Sequence, residues 1–226
     1  GGTLLDAKAV HTGRSARNHL RAMAATHGIP LTRVDEVLEI TGIASVARKR
    51  AGGFSLGMGQ RLGIASAILG DPTTLILDEP VNGLDPEGVR WVRDFVRGYA
   101  AAGRTVLLSS HLMSEMALTA DHLIVLGRGR VLADASVAQL VAAWTKEDVA
   151  VETPHADALA SALASDSVAV HRTGPNALAV SGAPAAWIGD RAAAAGIAIH
   201  QLTTRTGSLE EAYMALTADA VEYKTK

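Results

Sequence analysis

Apolar positions show three textures along the chain. Behind Ser15 they recur with helical spacing at Leu20, Met23 and Ala24, and behind Thr32 at Val34, Val37 and Leu38; a further run spans about Leu56 to Leu69. Steps of three and four residues return side chains to one helix face. Ser15 and Thr32 are N-cap types, and Gly28 and Gly42 are residues that follow helix ends. Residues 15–69 therefore predict a small helical unit.

The spacing then shortens. Thr73-Thr74-Leu75-Ile76-Leu77 and Thr105-Val106-Leu107-Leu108-Ser109 are short continuous runs, the pattern of strands buried on both faces of a parallel sheet. Between them Val89, Val92, Val96 and Tyr99 recur helically after Pro86, with Gly103 beyond. This is a βαβ unit. A short helix near Ser114–Thr119 and a hairpin, His122–Leu126 with Val131–Ala133 around Gly127-Arg128-Gly129, follow.

The last third reads strand (Val149–Glu152), helix (Ala156–Ala164), strand (Val168–His171), turn, strand (Leu178–Val180), helix (Ala185–Ala195), strand (Ile197–Leu202). That order, βαββαβ, is the ferredoxin-like pattern. Ser208-Leu209-Glu210-Glu211 opens a final helix. Two domains are predicted: residues 1–145, with the helical part over about 7–70 and the strand-rich part over 71–135, and an α+β accessory domain over 146–226.

Composition narrows the function. The chain has 226 residues, 48% of them hydrophobic and 4% aromatic, so Ala, Leu, Val and Ile must build the core. No cysteine is present, which removes disulfides, thiolate metal sites and cysteine catalysis. A net charge of −2 argues against a general nucleic-acid binder. The charge is uneven: residues 1–70 carry +5, residues 71–145 carry −3 and residues 146–226 carry −4. The basic third reads as a solvated helical face, or as a surface that meets phosphates or a partner.

Candidate chemistry gathers at Leu75-Ile76-Leu77-Asp78-Glu79-Pro80-Val81-Asn82-Gly83-Leu84-Asp85-Pro86. Ligands of open α/β sheets collect at the carboxyl ends of strands, where Asp78 and Glu79 stand. Neighbouring strand residues point to opposite sides. One carboxylate can therefore serve a hydrated Mg²⁺ and the other an attacking water. A pair of solvated acids closing a strand is the plainer alternative. Upstream, Gly53-Phe54-Ser55-Leu56-Gly57-Met58-Gly59-Gln60-Arg61 combines a capping Ser with glycines at a helix start, either a structural cap or an anion site. His111 follows the second strand and can reach a terminal phosphate or the attacking water, or be a plain loop histidine. Asp85 before Pro86 is a good N-cap in any case.

In this order and at these distances, the segments over roughly residues 1–135 resemble the ATP-binding subunit of ABC transporters. Phe54–Arg61 is similar to the family signature, Leu75–Pro80 to its Walker B, Asn82–Asp85 to its D-loop and His111 to its switch histidine. Ser-Leu-Gly-Met, together with the tail around Ser208–Tyr213, is most similar to the daunorubicin-type drug- and antibiotic-resistance exporters. The resemblance implies a partial P-loop NTPase α/β domain. It gives Asp78 the Mg²⁺ through water, Glu79 the hydrolytic water and His111 the γ-phosphate. Ser55, Leu56, Gly57 and Met58 would contact ATP held by a second subunit, and Asp85 would communicate across that head-to-tail dimer. Asp6 falls where the family has its Q-loop glutamine, and Leu56 and Met58 replace a Gly and a Gln of the usual signature.

The 226 residues contain no Gly-x-x-x-x-Gly-Lys-Ser/Thr, the loop whose N–H groups and Lys cradle phosphates. The family places that loop upstream of the Asp6 region, where only five residues lie. The expectation is a nucleotide domain without its N-terminal part, weak in binding ATP alone and exposing some apolar surface. As a whole, the sequence predicts the ATP-hydrolysing subunit of a drug or antibiotic exporter, with ATP and Mg²⁺ as cofactors. A second nucleotide-binding subunit and a separate membrane permease would be its partners, with no nucleic acid, and it would sit on the cytoplasmic face of the membrane. The alternatives are a non-catalytic partner or regulatory module that completes another subunit's ATP site, and an ABC-type ATPase outside transport.

Overall fold

The computed structural model describes residues 1–5, 10–145, 147–165 and 167–218. The chain divides into two compact units, Gly1–Thr119 and Ala120–Lys226.

In the first unit, β1 (Gly2–Leu4) is followed by α1 (Ala16–Thr26), α2 (Leu31–Ile40) and α3 (Leu56–Ile68). Then come β2 (Thr74–Leu77), α4 (Pro86–Ala101), β3 (Thr105–Leu108) and α5 (Met113–Thr119). Ser15 caps α1 by accepting from the Asn18 N–H at 3.2 Å. Thr32 does not cap α2: the helix starts two residues earlier than such a cap would place it, with Pro30 at the cap position, because the fixed φ of proline already presets the entry. The apolar faces pack as the spacing predicts. Leu20, Ala24, Val34, Val37, Leu38, Leu62, Ile64 and Ile68 are buried together with Leu75, Leu77, Val92 and Val96 of the strand-rich part.

The three strands are parallel in the order β1-β2-β3, with Thr3, Ile76 and Leu107 in one register row. β2 and β3 were expected to be buried on both faces. Only one face is: Leu4, Leu75 and Leu77 lie beneath α3 and α4, while Ile76 is 37% and Leu107 54% exposed on the other. Apolar side chains thus stand open on one side of this sheet. β1 was not anticipated, since three residues are too few to show a period.

Arg61 ties the helical part to the strand-rich part. Its guanidinium lies 4.0 Å from the centre of the Trp91 ring on α4, and its Nη1 donates to the Thr41 carbonyl beyond α2 at 2.9 Å. Burial lowers its pKa, against the opposing fields of Glu87 and Asp85.

His19 on α1 is half-buried, and desolvation, then the charges of Arg14 and His11, hold its pKa below the usual 6.5. The unfolded chain takes up a proton there that the folded chain resists. That share of stability is complete above pH 6.5 and is lost as the pH falls through 6.5 towards the lower folded value. The denaturation midpoint of the first unit should therefore drop between pH 8 and pH 5.5, and His19→Gln should flatten the drop. An unchanged slope in the variant would assign the effect elsewhere.

The second unit opens with the hairpin β4 (His122–Gly127) and β5 (Arg130–Ser136), turned at Arg128 and Gly129, both at positive φ. It continues through α6 (Val137–Trp144) and β6 (Asp148–Glu152). Next are α7 (Ala156–Leu163), β7 (Ala169–Gly174), β8 (Ala177–Ser181), α8 (Ala185–Ala194), β9 (Gln201–Arg205) and α9 (Leu209–Thr217). Residues 120–145, expected in the first domain, group with the second because α6 packs on α9. The helix α6 went unread. Its signal is the capping box of Ser136 with Gln139, in which the Ser136 hydroxyl accepts from the Gln139 N–H while Gln139 Oε1 accepts from the Ser136 N–H.

The βαββαβ order is realised as an antiparallel sheet, β7-β8-β6-β9, over a core of Val149, Val151, Leu159, Leu163, Leu178, Val180 and Ile188. β9 begins at Gln201 rather than at Ile197. Ile197 instead closes α8, its N–H donating to the Ala192 carbonyl at 2.9 Å behind Gly196 at φ +67°.

Candidate functional site

Of the residues singled out in the first unit, Asp78, Glu79 and His111 meet at the carboxyl end of the parallel sheet. Pairing runs one step past the strands: the Asp78 N–H donates to the Leu4 carbonyl and the Ser109 N–H to the Leu77 carbonyl, both at 2.9 Å. Asp78 is thereby fixed between its two neighbouring strand ends.

Glu79 then leaves the sheet at φ +45°, a left-handed backbone that a long side chain seldom adopts. That conformation costs on the order of 1–2 kcal/mol. The Glu79 N–H donates to Ser109 Oγ at 2.9 Å, and Ser109 Oγ donates in turn to Asp78 Oδ1. A hydrogen bond of this kind is worth about 1 kcal/mol net, comparable to the backbone strain it offsets. One hydroxyl therefore links both carboxylate residues across the two strand ends. Sequence reasoning passed over Ser109. Its position at the tip of the strand beside the Asp-Glu pair was the available signal.

His111 reaches the same carboxylate. Its Nδ1 lies 3.0 Å from Glu79 Oε1 and 2.9 Å from Oε2, with the Glu79 side chain 33% and the imidazole 62% exposed. The bond orients both groups and leaves each open to solvent.

The glycine-containing helix start lies alongside. Ser55 caps α3 by accepting from the Met58 N–H at 3.3 Å. Ser55 and Leu56 are exposed, and Gly57 and Met58 are partly so. The loop leaving Glu79 passes against this start: Gly83 sits at φ +70°, and a Cβ there would stand 2.7 Å from Leu56 Cδ2. The positive φ favours glycine at 83, and any side chain there would also have to displace the exposed end of Leu56. Asp85 caps α4, its Oδ1 accepting from the Gly88 N–H at 2.8 Å, with Pro86 at the first helical position. Asp6 lies outside the described residues.

Among the described residues, no three His, Cys, Asp or Glu side chains gather as a metal cage. Mg²⁺ usually takes one or two carboxylates and fills its remaining positions with water and substrate phosphate. Asp78 offers the hard oxygen donors this requires. Glu79, by contrast, is engaged with His111.

Sequence and structure comparisons agree in direction. The family model described as ABC transporter matches residues 6–82, one described as an AAA domain matches residues 49–117, and a domain of unknown function (DUF8746) matches residues 147–210. The chain is 41% identical over 133 residues to the bacitracin transport ATP-binding protein of Bacillus licheniformis, covering 58% of this chain and 44% of that one. It is 31% identical over 131 residues to the lantibiotic transport ATP-binding protein of Streptococcus pyogenes, covering 58% and 57%. The chain thus spans about half the length of these relatives. Among solved structures it is similar to cbiO1 of Clostridium perfringens, part of the ABC transporter complex cbiONQ, with a TM-score of 0.56 and 28% identity over 62% of this chain and 59% of that one. An ATP-binding subunit of an ABC transporter matches at TM-score 0.56 and 24% identity, covering 63% and 61%, a likeness of fold.

Proposed function

We propose that this chain, whose residues 6–82 match the family model described as ABC transporter, carries the hydrolytic half of the ATP site of an antibiotic exporter. The observation that carries the reading is the cluster of Asp78, Glu79, Ser109 and His111 at the carboxyl ends of parallel strands. The names of the bacitracin and lantibiotic relatives favour a peptide antibiotic as cargo.

Asp78 would hold Mg²⁺, which supplies charge neutralisation on the phosphates when bound. Glu79 would accept hydrogen bonds from the attacking water, orient it and take up its proton. His111 would hold the Glu79 carboxylate in place and meet the terminal phosphate through its exposed edge. Ser55 and the backbone of Leu56, Gly57 and Met58 would face nucleotide held by a second nucleotide-binding subunit, and Asp85 would sit on the path between the two sites. Among the described residues no helix is long and apolar enough to cross a membrane. The transport names of the relatives favour a separate permease that would supply the channel, with this chain resting against its cytoplasmic side.

The test is ATP hydrolysis by the protein assembled with its permease and second nucleotide-binding subunit, with and without Mg²⁺. Hydrolysis should require Mg²⁺, rise with added bacitracin-like peptide, and fall at least tenfold in Asp78→Asn. A rate indifferent to both Mg²⁺ and Asp78→Asn would refute the reading.

A further inference from the structure

Ser109 has one hydroxyl and two duties. It accepts from the Glu79 N–H at 2.9 Å and donates to Asp78 Oδ1, so it binds the backbone of one acid and the side chain of the other. It stands at the tip of β3, fixed by its own N–H to the Leu77 carbonyl at 2.9 Å. Glu79 is where the chain bends at φ +45°, and His111, two residues past Ser109, takes the Glu79 carboxylate. The same short segment therefore grips Glu79 at both ends, by backbone and by side chain.

We propose that Ser109 is the positioning residue of this site: its hydroxyl holds Glu79 in the left-handed backbone that aims its carboxylate at His111, and turns Asp78 so that Oδ1 is occupied. The inference rests on the hydrolytic reading of Asp78 and Glu79 for its catalytic consequence, but not for its structural part.

Both ends of the hydroxyl's bonding follow from its proton inventory. A serine carries one donor and two acceptor lone pairs, so it can serve an N–H and a carboxylate at once. Threonine can do the same, alanine cannot, and valine matches threonine in shape without the hydroxyl. Removing the hydroxyl leaves the Glu79 N–H without this acceptor, and the strained backbone loses its tie. Ser109 is exposed, so none of the three substitutions disturbs the core.

The experiment compares Ser109→Thr, Ser109→Val and Ser109→Ala in two measurements. The first is on the full chain without nucleotide: the backbone amide and Cα/Cβ resonances of Glu79 by NMR. They should keep left-handed values in Ser109→Thr and move to ordinary right-handed or extended values in Ser109→Val and Ser109→Ala. The second is ATP turnover in the assembled transporter. In Ser109→Val and Ser109→Ala kcat should fall about tenfold or more with KM for ATP within about threefold, and Ser109→Thr should restore it. Tenfold corresponds to about 1.4 kcal/mol at the transition state, the size of one lost hydrogen bond. Glu79 resonances unmoved in Ser109→Val and Ser109→Ala would overturn the proposal, as would equal turnover of Ser109→Thr and Ser109→Val in a transporter whose turnover Glu79→Gln abolishes. If the resonances move as expected while Glu79→Gln retains full turnover, the positioning role stands and the hydrolytic reading of the site fails.

Discussion

Glu79→Gln should lower ATP turnover of the assembled transporter by two to three orders of magnitude and leave KM for ATP within a few-fold. Glutamine keeps the length of the side chain and an oxygen that can still accept from His111, but it cannot take up a proton from water. General bases contribute about 10²–10⁴ in rate. The position is a third exposed, so the substitution should shift the stability of the chain by no more than about 0.5 kcal/mol. Loss of turnover with binding intact identifies Glu79 as acting in the chemical step. Glu79→Asp makes the complementary case: aspartate tolerates a left-handed backbone better, yet it is one methylene short of His111 and the water. It should fall almost as far as Glu79→Gln. Turnover near wild type in Glu79→Gln would remove Glu79 from the chemistry.

The second large effect concerns the two cores. Leu38 and Leu159 are both fully buried, one in each unit, and truncation of such a leucine costs about 2–5 kcal/mol. Against a domain stability of about 5–15 kcal/mol, that is a large fraction. Leu159→Ala should lower the unfolding transition of residues 120–218 and leave that of the first unit in place. Leu38→Ala should do the reverse and should also loosen α3, since α2 and α3 share that core. Hydrogen exchange followed residue by residue separates the two. A single transition shifting equally in both variants would show that the two cores unfold as one.

The helical unit was legible in the sequence because its apolar residues repeat every three or four positions, and because Ser15 and Ser55 cap as their types predict. The βαββαβ unit was legible from element order alone, despite its short, alanine-rich strands. Pattern failed where short elements depend on distant partners. β1 is a strand only because β2 lies beside it, and the open face carrying Ile76 and Leu107 cannot be told from a covered one in a continuous apolar run. The grouping of residues 120–145 depends on distance too: α6 packs on α9 across more than sixty residues. At the candidate site, motif order brought Asp78, Glu79 and His111 forward. It could not single out Ser109, because one serine among several shows its use only when two strand ends are placed side by side.

The bend at Glu79 has a consequence for how this chain can vary. With φ at +45°, the backbone there is best served by glycine, asparagine or aspartate. None of these reaches His111 as glutamate does. The local geometry and the reach of the side chain therefore pull in opposite directions at one codon. Drift towards the conformationally easier residues is blocked by lost reach, and drift towards other long residues gains no relief from strain. Position 79 therefore admits little substitution for as long as its carboxylate must meet His111.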